Sequence, residues 1–297
     1  MNLALAPQYL INGLLAGIIY ATYTTGYSLV LTTSRFMHVC HGGILSISGL
    51  LMWYLCASVG VPMLPSALAA AGTGVVVGLF LEIAIYRRLR RRGLPFLLTM
   101  IVSLGCMTVL QNALAMLFGT NTKYLGSEIM LPSVFLGGYV IPGWQAVGFL
   151  ITAALLLGLS LLMKRTRIGN EIQSVASNQQ MARLIGIDLD KVHVVTMILA
   201  SLLAAWVGVI EVITHGISCY GGTPFMLVGI VIRALGGARS TRGLIVSGLI
   251  YGTVENLALL FVPSRWASPL AFGIFVVAVL IRSNPTRNAL ERLGGGL

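Results

Sequence analysis

Apolar runs that resemble membrane-spanning helices recur along the whole chain and constrain its fold more than any other feature. They cover about residues 9–32, 42–59, 66–86, 95–118, 144–163, 193–214, 224–235, 243–262 and 266–281. A helix needs roughly 20 apolar residues to cross the hydrocarbon layer of a membrane. Only 9% of the residues are charged, so a soluble fold would expose large apolar patches. The sequence therefore predicts an all-α integral membrane protein, a polytopic helical bundle of about eight or nine transmembrane helices that form one domain over residues 1–297.

The basic residues between the runs predict the orientation of the chain. The net charge is +11, but lysine and arginine form short clusters beside apolar runs, which argues against a nucleic-acid partner. If all the runs cross and the C-terminus is cytoplasmic, every basic residue except Lys123 and Arg265 lies on the cytoplasmic side, as the positive-inside rule requires. This predicts a periplasmic N-terminus, a periplasmic loop at 119–143, a cytoplasmic loop at 164–192 and a cytoplasmic tail at 282–297.

Two of the apolar runs are too short to cross a bilayer as straight helices. Ile44–Val59 follows a predicted break at residues 41–43 and gives about 24 Å of helix, while Phe225–Leu235 gives about 16 Å. The second run lies between glycine pairs at 221–222 and 236–237. Short, glycine-interrupted segments in two parts of a transporter mark its pathway. The alternative is that they are tilted or re-entrant segments with a structural role only.

Polar residues inside the runs are further candidates for the pathway, because ionisable groups in a membrane usually face a cavity or a partner. Glu255 and the Gln111-Asn112 pair could instead hydrogen-bond between helices. Arg233 could pair with Glu255, could lie at the cytoplasmic edge and reach the headgroups, or could face the pathway and favour substrates with a carboxylate. The complete set of candidate pathway residues is His41, Gly42, Gln111, Asn112, Gly221, Gly222, Arg233, Gly236, Gly237 and Glu255.

Shorter spacings predict local contacts. Glu82 lies one turn before the arginine cluster at 87–92, where it would pair or reach the headgroups, and Glu211 and His215 at i, i+4 predict a local pair. The spacings Gly13-x3-Gly17 and Gly248-x3-Gly252 are typical of closely packed helices in a membrane bundle.

The loop at 164–192 is predicted to be structured. Ser177 or Asn178 can cap a short helix that Gly186 would end in the left-handed conformation, and Asp188 can cap the next membrane helix. Within the short helix, Met181, Leu184 and Ile185 form an apolar stripe. Such a stripe on a cytoplasmic loop indicates contact with a protein partner or with the membrane surface.

Motifs for catalysis, nucleotides and metals are missing from the sequence. There is no Gly-x4-Gly-Lys-[Ser/Thr] phosphate loop and no His-Glu-x-x-His motif. The four cysteines are isolated, and no carboxylate or thiolate accompanies His38 and His41 at ligand spacing, so loop or capping roles are expected for the two histidines. The sequence predicts no enzyme activity, no metal and no cofactor; if ATP drives transport, a partner subunit binds it.

Five segments carry a family resemblance that runs through nearly the whole chain in order. They are INGLLAGIIYATYTTGYSLVL (11–31), FMHVCHGGILSISG (36–49), LTMIVSLGCMTVLQNALAMLFG (98–119), RTRIGNEIQSVASNQQMARLIGIDLDKV (165–192) and GLIYGTVENL (248–257). Together they resemble the LivH-type permeases of branched-chain amino acid ABC importers. His41-Gly42 falls on the family's His-Gly pair, and Gln111-Asn112 and Glu255 fall on matching positions of its membrane helices.

The resemblance implies an inner-membrane importer subunit that works with a second homologous permease, two cytoplasmic ATPases that bind ATP and Mg, and a periplasmic substrate-binding protein. It identifies residues 164–192 as the loop that couples the permease to the ATPase. With the apolar stripe, the predicted coupling residues are Arg167, Gly169, Ala176, Met181, Ala182, Leu184, Ile185 and Gly186.

The substrate expected from the resemblance is a branched-chain or related amino acid. The segments RALGGARSTRG (233–243) and RSNPTRNALERL (282–293) depart from the family pattern, and the first touches the predicted pathway. Two alternatives stay open: a permease of the same family for other small carboxylates, amides, urea or aromatic acids, and a secondary transporter.

Overall fold

The computed structural model describes residues 6–126, 132–136, 139–237 and 240–282, and most of this part of the chain is helical. The helices are α1 Ala6–Ser34, α2 His41–Val59, α3 Met63–Arg91, α4 Phe96–Phe118, α5 Gly143–Arg165, α6 Arg167–Ser177, α7 Gln179–Leu184, α8 Leu189–Thr214, α9 Gly222–Gly236, α10 Thr241–Ala258 and α11 Ser264–Arg282. Two strands, β1 Val134–Leu136 and β2 Tyr139–Ile141, form an antiparallel hairpin in the loop between α4 and α5.

The predicted polytopic helical bundle is confirmed. Seven helices, α1 to α5, α8 and α11, are long and apolar enough to cross a membrane. Helix α9 is a shorter apolar helix of 15 residues, and α10 has 18 residues that include Arg242 and Glu255. The predicted tail falls on residues 282–297, of which 283–297 lie outside the described part of the chain.

Helices α1 and α8 form the centre of the bundle, and α4, α5 and α11 lie at its periphery. In the most apolar window of α1 and of α8, 67% of the residues are buried, whereas the value is 22% for α4 and α5 and 17% for α11. The peripheral helices expose leucine, isoleucine and valine side chains such as Leu104, Leu157 and Val277. These surfaces suit contact with lipid or with other membrane subunits.

Glycine spacings bring α1 and α10 into backbone contact. A Cβ on Gly13 would lie 2.7 Å from the Cα of Thr253, and a Cβ on Gly17 would lie 2.7 Å from the Cα of Leu249. On the opposite helix, a Cβ on Gly248 would meet Ala21 at 2.7 Å. The two Gly-x3-Gly spacings therefore pack against each other, which confirms the close helix packing that they predict.

The first predicted break lies elsewhere. Residues 41–43 belong to α2, which has 19 residues and a length of about 28 Å, and the non-helical backbone is the preceding segment from Arg35 to Cys40. Arg35 has a φ of 58°, so the chain turns there after α1. The glycines at 42 and 43 are helical and allow neighbouring helices to approach closely, as described below. The second short run is confirmed, since α9 reaches only about 22 Å.

Candidate translocation pathway and coupling surface

The first turns of the helices α2 and α9 meet inside the bundle. A Cβ on Gly42 would lie 2.6 Å from the carbonyl oxygen of Gly222, and Gly222 faces the backbone of Gly42 in return. Both residues are buried. Two helix ends can approach this closely only where neither carries a side chain. The structure thus brings together the glycines at 42–43 and 221–222, which belong to two separate segments in the sequence analysis.

Hydrogen bonds from two other residues hold this contact, which we call the glycine contact. The backbone N–H of Gly222 donates to Ser46 Oγ at 2.9 Å, within α2. From α4, Gln111 Nε2 donates to Thr223 Oγ1 at 2.9 Å. The amide of Gln111 therefore forms a hydrogen bond between α4 and the start of α9, which is one of the two roles expected for it. Gly221 directly precedes α9 and is part of the same region.

His41 packs in an aromatic environment beside the glycine contact. Its ring centroid lies 4.7 Å from that of Tyr23 and 5.5 Å from that of His38. His38 Nδ1 lies 3.0 Å from the hydroxyl of Tyr86, which is hydrogen-bonded to Ser103 Oγ at 2.9 Å. Both histidines are buried. In the described part of the chain, no group of three or more His, Cys, Asp or Glu side chains could hold a metal ion.

A cavity of about 350 Å³ surrounds Glu255. Its wall is built from α1, α5, α8, α9, α10 and α11, and we call it the outer cavity. Glu255 accepts a hydrogen bond from Ser268 Oγ of α11 and faces the phenol of Tyr20 of α1. Phe225, on the first turn of α9, also lines it and stacks on Tyr20 with ring centroids 5.2 Å apart. Glu255 therefore forms the expected hydrogen bond between helices, and it also lines a cavity.

The predicted pair of Glu211 and His215 lies at the rim of the outer cavity and is confirmed. His215 Nδ1 is 3.3 Å from the carboxylate of Glu211. This hydrogen bond raises the pKa of His215, which follows the last residue of α8, above its ordinary value. The cavity thus contains two carboxylates, Glu211 and Glu255. Glu211 is paired with His215.

Arg233 lies at the opposite end of α9 from the outer cavity. Its Nε donates to Ser28 Oγ of α1 at 3.2 Å, and the side chain is partly buried. The suggested pairing with Glu255 is wrong: α10 runs antiparallel to α9, and Glu255 lies beside Phe225 at the other end. Next to Arg233, Gly236 packs against the carbonyl of Gly243, and Gly237 ends the helix with a φ of 86°.

Asn112 is separated from the other candidate pathway residues. Its side chain is exposed on the outside of α4 and donates to the backbone carbonyl of Thr108 at 2.8 Å. The neighbouring Gln111 is buried on a different face of α4, because successive residues on a helix are about 100° apart. The structure therefore divides the Gln111-Asn112 pair between the bundle interior and its outer surface.

The loop at 164–192 folds as two short helices, α6 and α7, on the end of the bundle. Thr166 caps α6, Asn178 Oδ1 caps α7 by accepting from Gln180 and Met181, and Asp188 caps α8. Gly186 has a φ of 84°, which confirms the predicted left-handed stop. Gly169 packs so closely on the end of α5 that a Cβ would clash with the Met163 backbone.

Contacts with α1 fasten this loop to the bundle. Arg35 donates to the carbonyls of Ala176 and Ser177 at 2.9 and 3.2 Å, and the side chain of Gln179 donates to the carbonyl of Thr33. Arg167 is exposed at the start of α6. These hydrogen bonds join the loop to the C-terminal end of the central helix α1 and to the residue that follows it.

The apolar residues of α7 separate into a buried and an exposed set. Ala182 is 2% exposed and packs in a small core with Ile172, Val175 and Val192. Ala182, one of the predicted coupling residues, is therefore covered by its own loop and is not part of the loop's exposed surface. The predicted stripe is exposed, with Met181 at 56%, Leu184 at 81% and Ile185 at 67%.

Sequence reasoning missed several residues of these sites. Asn12, Tyr20 and Ser268 line the outer cavity, and Ser46 and Thr223 hold the glycine contact. Each is a single polar residue in an apolar run. Such a residue is a weak signal of a site, because many polar side chains in the described helices bond only to their own helix, as the hydroxyls of Thr22, Thr25 and Thr196 do. Only the tertiary structure separates the two groups.

Known proteins resemble the chain along most of its length. The family described as "Branched-chain amino acid transport system / permease component" matches residues 9–281. The high-affinity branched-chain amino acid transport system permease protein BraD of Pseudomonas aeruginosa is 27% identical over 290 residues, 93% of each chain. The corresponding LivH protein of Escherichia coli is 26% identical and aligns over 92% of each chain. The ribose import permease protein RbsC of Escherichia coli is 24% identical over 88% of this chain and 81% of its own.

The family match confirms the LivH-type resemblance and the prediction of a membrane subunit that is not itself an enzyme. In such a transport system the nucleotide is bound by partner ATPases, so the permease needs no cofactor of its own. With its match over residues 9–281 and its bundle of apolar helices, the chain belongs to the family of permease components of branched-chain amino acid ABC transport systems.

Proposed function

We propose that this chain is one of two homologous permease subunits of an importer for branched-chain amino acids, and that the glycine contact is the closed part of its pathway. The observation that carries the proposal is the meeting of α2 and α9 at Gly42 and Gly222. Interrupted or short helices that meet inside a transporter surround its substrate path. A small relative movement of the two helix ends would open or close a passage here.

The outer cavity is the proposed entrance to this path. Phe225 connects the two regions, because it lines the cavity and lies one turn after Gly222. Tyr23 continues the connection, with ring centroids 5.8 Å from Phe225 and 4.7 Å from His41. The proposed path therefore runs from Glu255, past Phe225 and Tyr23, to His41 and the glycine contact. Gln111 supports that contact from the side, and Asn112 lies outside the path.

The charges of the outer cavity favour a zwitterionic amino acid over an anion. Glu255 and Glu211 supply carboxylates that attract an ammonium group and repel a free carboxylate. Arg233, near the far end of α9, is the proposed partner for the carboxylate once the substrate has passed the glycine contact. Small dicarboxylates fit this arrangement less well, because they would meet two negative charges at the entrance.

A second candidate substrate is a neutral sugar, since RbsC is among the relatives. The polar lining of the outer cavity, with Asn12, Gln145 and Asn256 besides the carboxylates, also offers hydrogen bonds to hydroxyl groups. We prefer an amino acid as the substrate, because the hydroxyl groups of a sugar do not require two carboxylates for binding.

The proposed partners are a second homologous permease, two cytoplasmic ATPases and a periplasmic binding protein. Ion pairs support a common face for the arginine cluster and the coupling loop: Arg87 and Arg91 contact Asp190 at 2.8 and 2.9 Å. On the other face, Lys123 and Ile217 exchange backbone hydrogen bonds. The arginine-rich face is the proposed cytoplasmic one, which places the N-terminus in the periplasm.

Uptake into vesicles tests the proposed function. The complex would be reconstituted with its ATPases and binding protein, and ATP-dependent uptake of labelled leucine would be measured. Excess unlabelled isoleucine or valine is expected to compete, whereas ribose and succinate are expected not to. Competition by ribose alone would establish the sugar alternative, and uptake driven by an ion gradient without ATP would contradict the importer.

Cysteine labelling tests the orientation. Arg91, the last residue of α3, and Asn121, in the loop after α4, are both exposed. Cysteines at these two positions are expected to react with an impermeant reagent from opposite faces. Only the Asn121 position should label from the periplasm. Labelling of both positions from one side would contradict the proposed topology.

Exposed residues of α7 test the coupling surface. Leu184→Ser is expected to weaken ATPase binding about ten-fold, because exposed apolar anchors dominate such contacts. The matched control is Leu157→Ser on the lipid-facing side of α5, which should leave ATPase binding unchanged. Equal ATPase binding by the parent and by Leu184→Ser would remove α7 from the coupling surface.

A further inference from the structure

A cavity of about 390 Å³ lies between the turn from α3 to α4 and the coupling loop. The turn contributes Gly93, Leu94 and Phe96, and the loop contributes Gln179 and Arg183. This basic cavity lies at the ends of membrane-spanning helices, where the hydrocarbon gives way to headgroups. It is separate from both the outer cavity and the glycine contact.

The lining of the basic cavity is strongly cationic. It contains four arginines, Arg35, Arg90, Arg91 and Arg183, against one carboxylate, Asp190. Arg90 is also engaged with Glu82, and Arg91 shares Asp190 with Arg87. Within the described part of the chain, Arg183 forms no ion pair. Arg35 donates to the carbonyls of Ala176 and Ser177, which are neutral and do not cancel its charge. The cavity therefore keeps positive charge, and the guanidinium group of Arg183 is available to donate to an anionic group.

An apolar surface continues from the basic cavity along the outside of α4. Phe96 lines the cavity and is 48% exposed, and Leu97 and Ile101, four residues apart on the same face, are also exposed. A soluble phosphate would use only the arginines. An amphipathic anion would use both the arginines and this apolar surface.

We propose that the basic cavity binds the phosphate headgroup of an anionic phospholipid whose acyl chains lie along α4. Basic pockets between transmembrane helices on the cytoplasmic side bind such headgroups. Because Gln179 and Arg183 belong to the coupling loop, a bound headgroup bridges the loop and the ends of α3 and α4. The lipid thereby stabilises the position of the loop that faces the ATPase, and the inner leaflet follows from the orientation proposed above.

Spin-labelled lipids test this proposal on the full-length chain in vesicles of phosphatidylcholine. The selectivity for labelled phosphatidylglycerol over labelled phosphatidylcholine is measured by electron paramagnetic resonance. A basic residue near the surface contributes enough binding energy for about a five-fold change in lipid association. Arg91→Gln with Arg183→Gln is therefore expected to lower the selectivity about five-fold for each arginine removed.

The matched control is Arg88→Gln with Arg165→Gln, which removes two exposed arginines from the same end of the bundle but outside the cavity lining. It should keep the parent's selectivity. An equal loss of selectivity in both double variants would show that general surface charge, rather than the basic cavity, attracts the lipid, and would overturn the proposal. Inorganic phosphate is expected not to displace the labelled lipid; displacement at millimolar phosphate would assign the cavity to a soluble anion.

A protein partner is the remaining rival occupant. If the Arg91 and Arg183 variant loses the ATPase in co-purification but keeps its selectivity for phosphatidylglycerol, the basic cavity docks a protein and the lipid proposal is wrong. None of these lipid measurements depends on transport, so their outcome is independent of the proposed function.

Discussion

The glycine contact and the outer cavity are neighbours, since Phe225 of the cavity wall lies one turn after Gly222, yet they are built in opposite ways. At the glycine contact, two backbones touch and no side chain separates them. At the outer cavity, side chains from six helices surround about 350 Å³ of space, with two carboxylates among them. A change of volume should therefore matter most at the contact, and a change of charge should matter most at the cavity.

Gly42→Val is expected to have the largest effect. The new side chain would overlap the backbone of Gly222, which cannot swing away as a flexible side chain can. The cost should therefore lie in the upper part of the range of about 1–3 kcal/mol for overpacking, and leucine uptake should fall more than ten-fold. Assembly with the ATPase, measured by co-purification, shows whether the bundle still folds.

The control for this prediction is Gly105→Val, because a Cβ on Gly105 of α4 meets nothing within 4 Å. Its uptake should match the parent's. Normal uptake by an assembled Gly42→Val complex would show that the glycine contact is not part of the pathway.

Glu255→Gln should have the next largest effect, through charge rather than volume. The amide keeps the shape of the side chain and can still bond to Ser268, but it loses the attraction for an ammonium group. A loss of about 1.4 kcal/mol corresponds to a ten-fold fall in leucine uptake. Thr73→Val, a nearly isosteric change at a half-buried residue of α3 outside the cavity lining, is the control. If both variants transport equally, Glu255 is a structural residue only.

Ser268→Ala removes the hydroxyl that donates to Glu255 but leaves the carboxylate in the cavity. A hydrogen bond to a charged group contributes about 1.5–3 kcal/mol in a buried site, but water in the cavity can replace the hydroxyl. Uptake is therefore expected to fall only about three-fold. A larger loss than for Glu255→Gln would mean that positioning of the carboxylate matters more than its charge.

Glu211→Gln should have the smallest effect, on the titration of His215 at the rim. The Glu211 hydrogen bond raises the pKa of His215, so the pair stabilises the fold below the ordinary value of 6.5, and this contribution is lost as the pH rises through the raised value. The histidine side chain is 63% exposed, so solvent weakens the pair. NMR titration with labelled histidine should show a lower pKa of His215 in this variant and no change in Glu171→Gln.

The two segments that form the glycine contact could be anticipated from the sequence, although their meeting could not, because the signals that identify each segment are local. Glycine pairs next to unusually short apolar runs identify both partners, and Gln111 stands out as a polar residue in an apolar run. The exact break could not be predicted: the glycines at 42 and 43 serve the close approach of Gly222 and Leu110 rather than a break in the helix, and that approach involves residues distant in sequence.

The outer cavity could not be assembled from the sequence. Glu255 was visible as a carboxylate in an apolar run, but its neighbours Asn12, Tyr20 and Ser268 come from helices whose order around the bundle has no local signal. For the same reason, the sequence could not exclude a pair between Arg233 and Glu255. The two residues lie in consecutive helices, but the antiparallel arrangement of α9 and α10 places them at opposite ends.

The sequence by itself determined the apolar helices, the helix caps of the coupling loop and the family, because each of these depends on composition, spacing or short motifs. Only the tertiary structure decided which side chains share a space. On α7, the helical spacing predicted the apolar stripe that contains Leu184, but only the packing against Ile172, Val175 and Val192 shows that Ala182 is buried. The physical reason is that hydrogen bonds within a helix are local, whereas burial, cavities and ion pairs such as Arg91 with Asp190 depend on residues that are far apart in the chain.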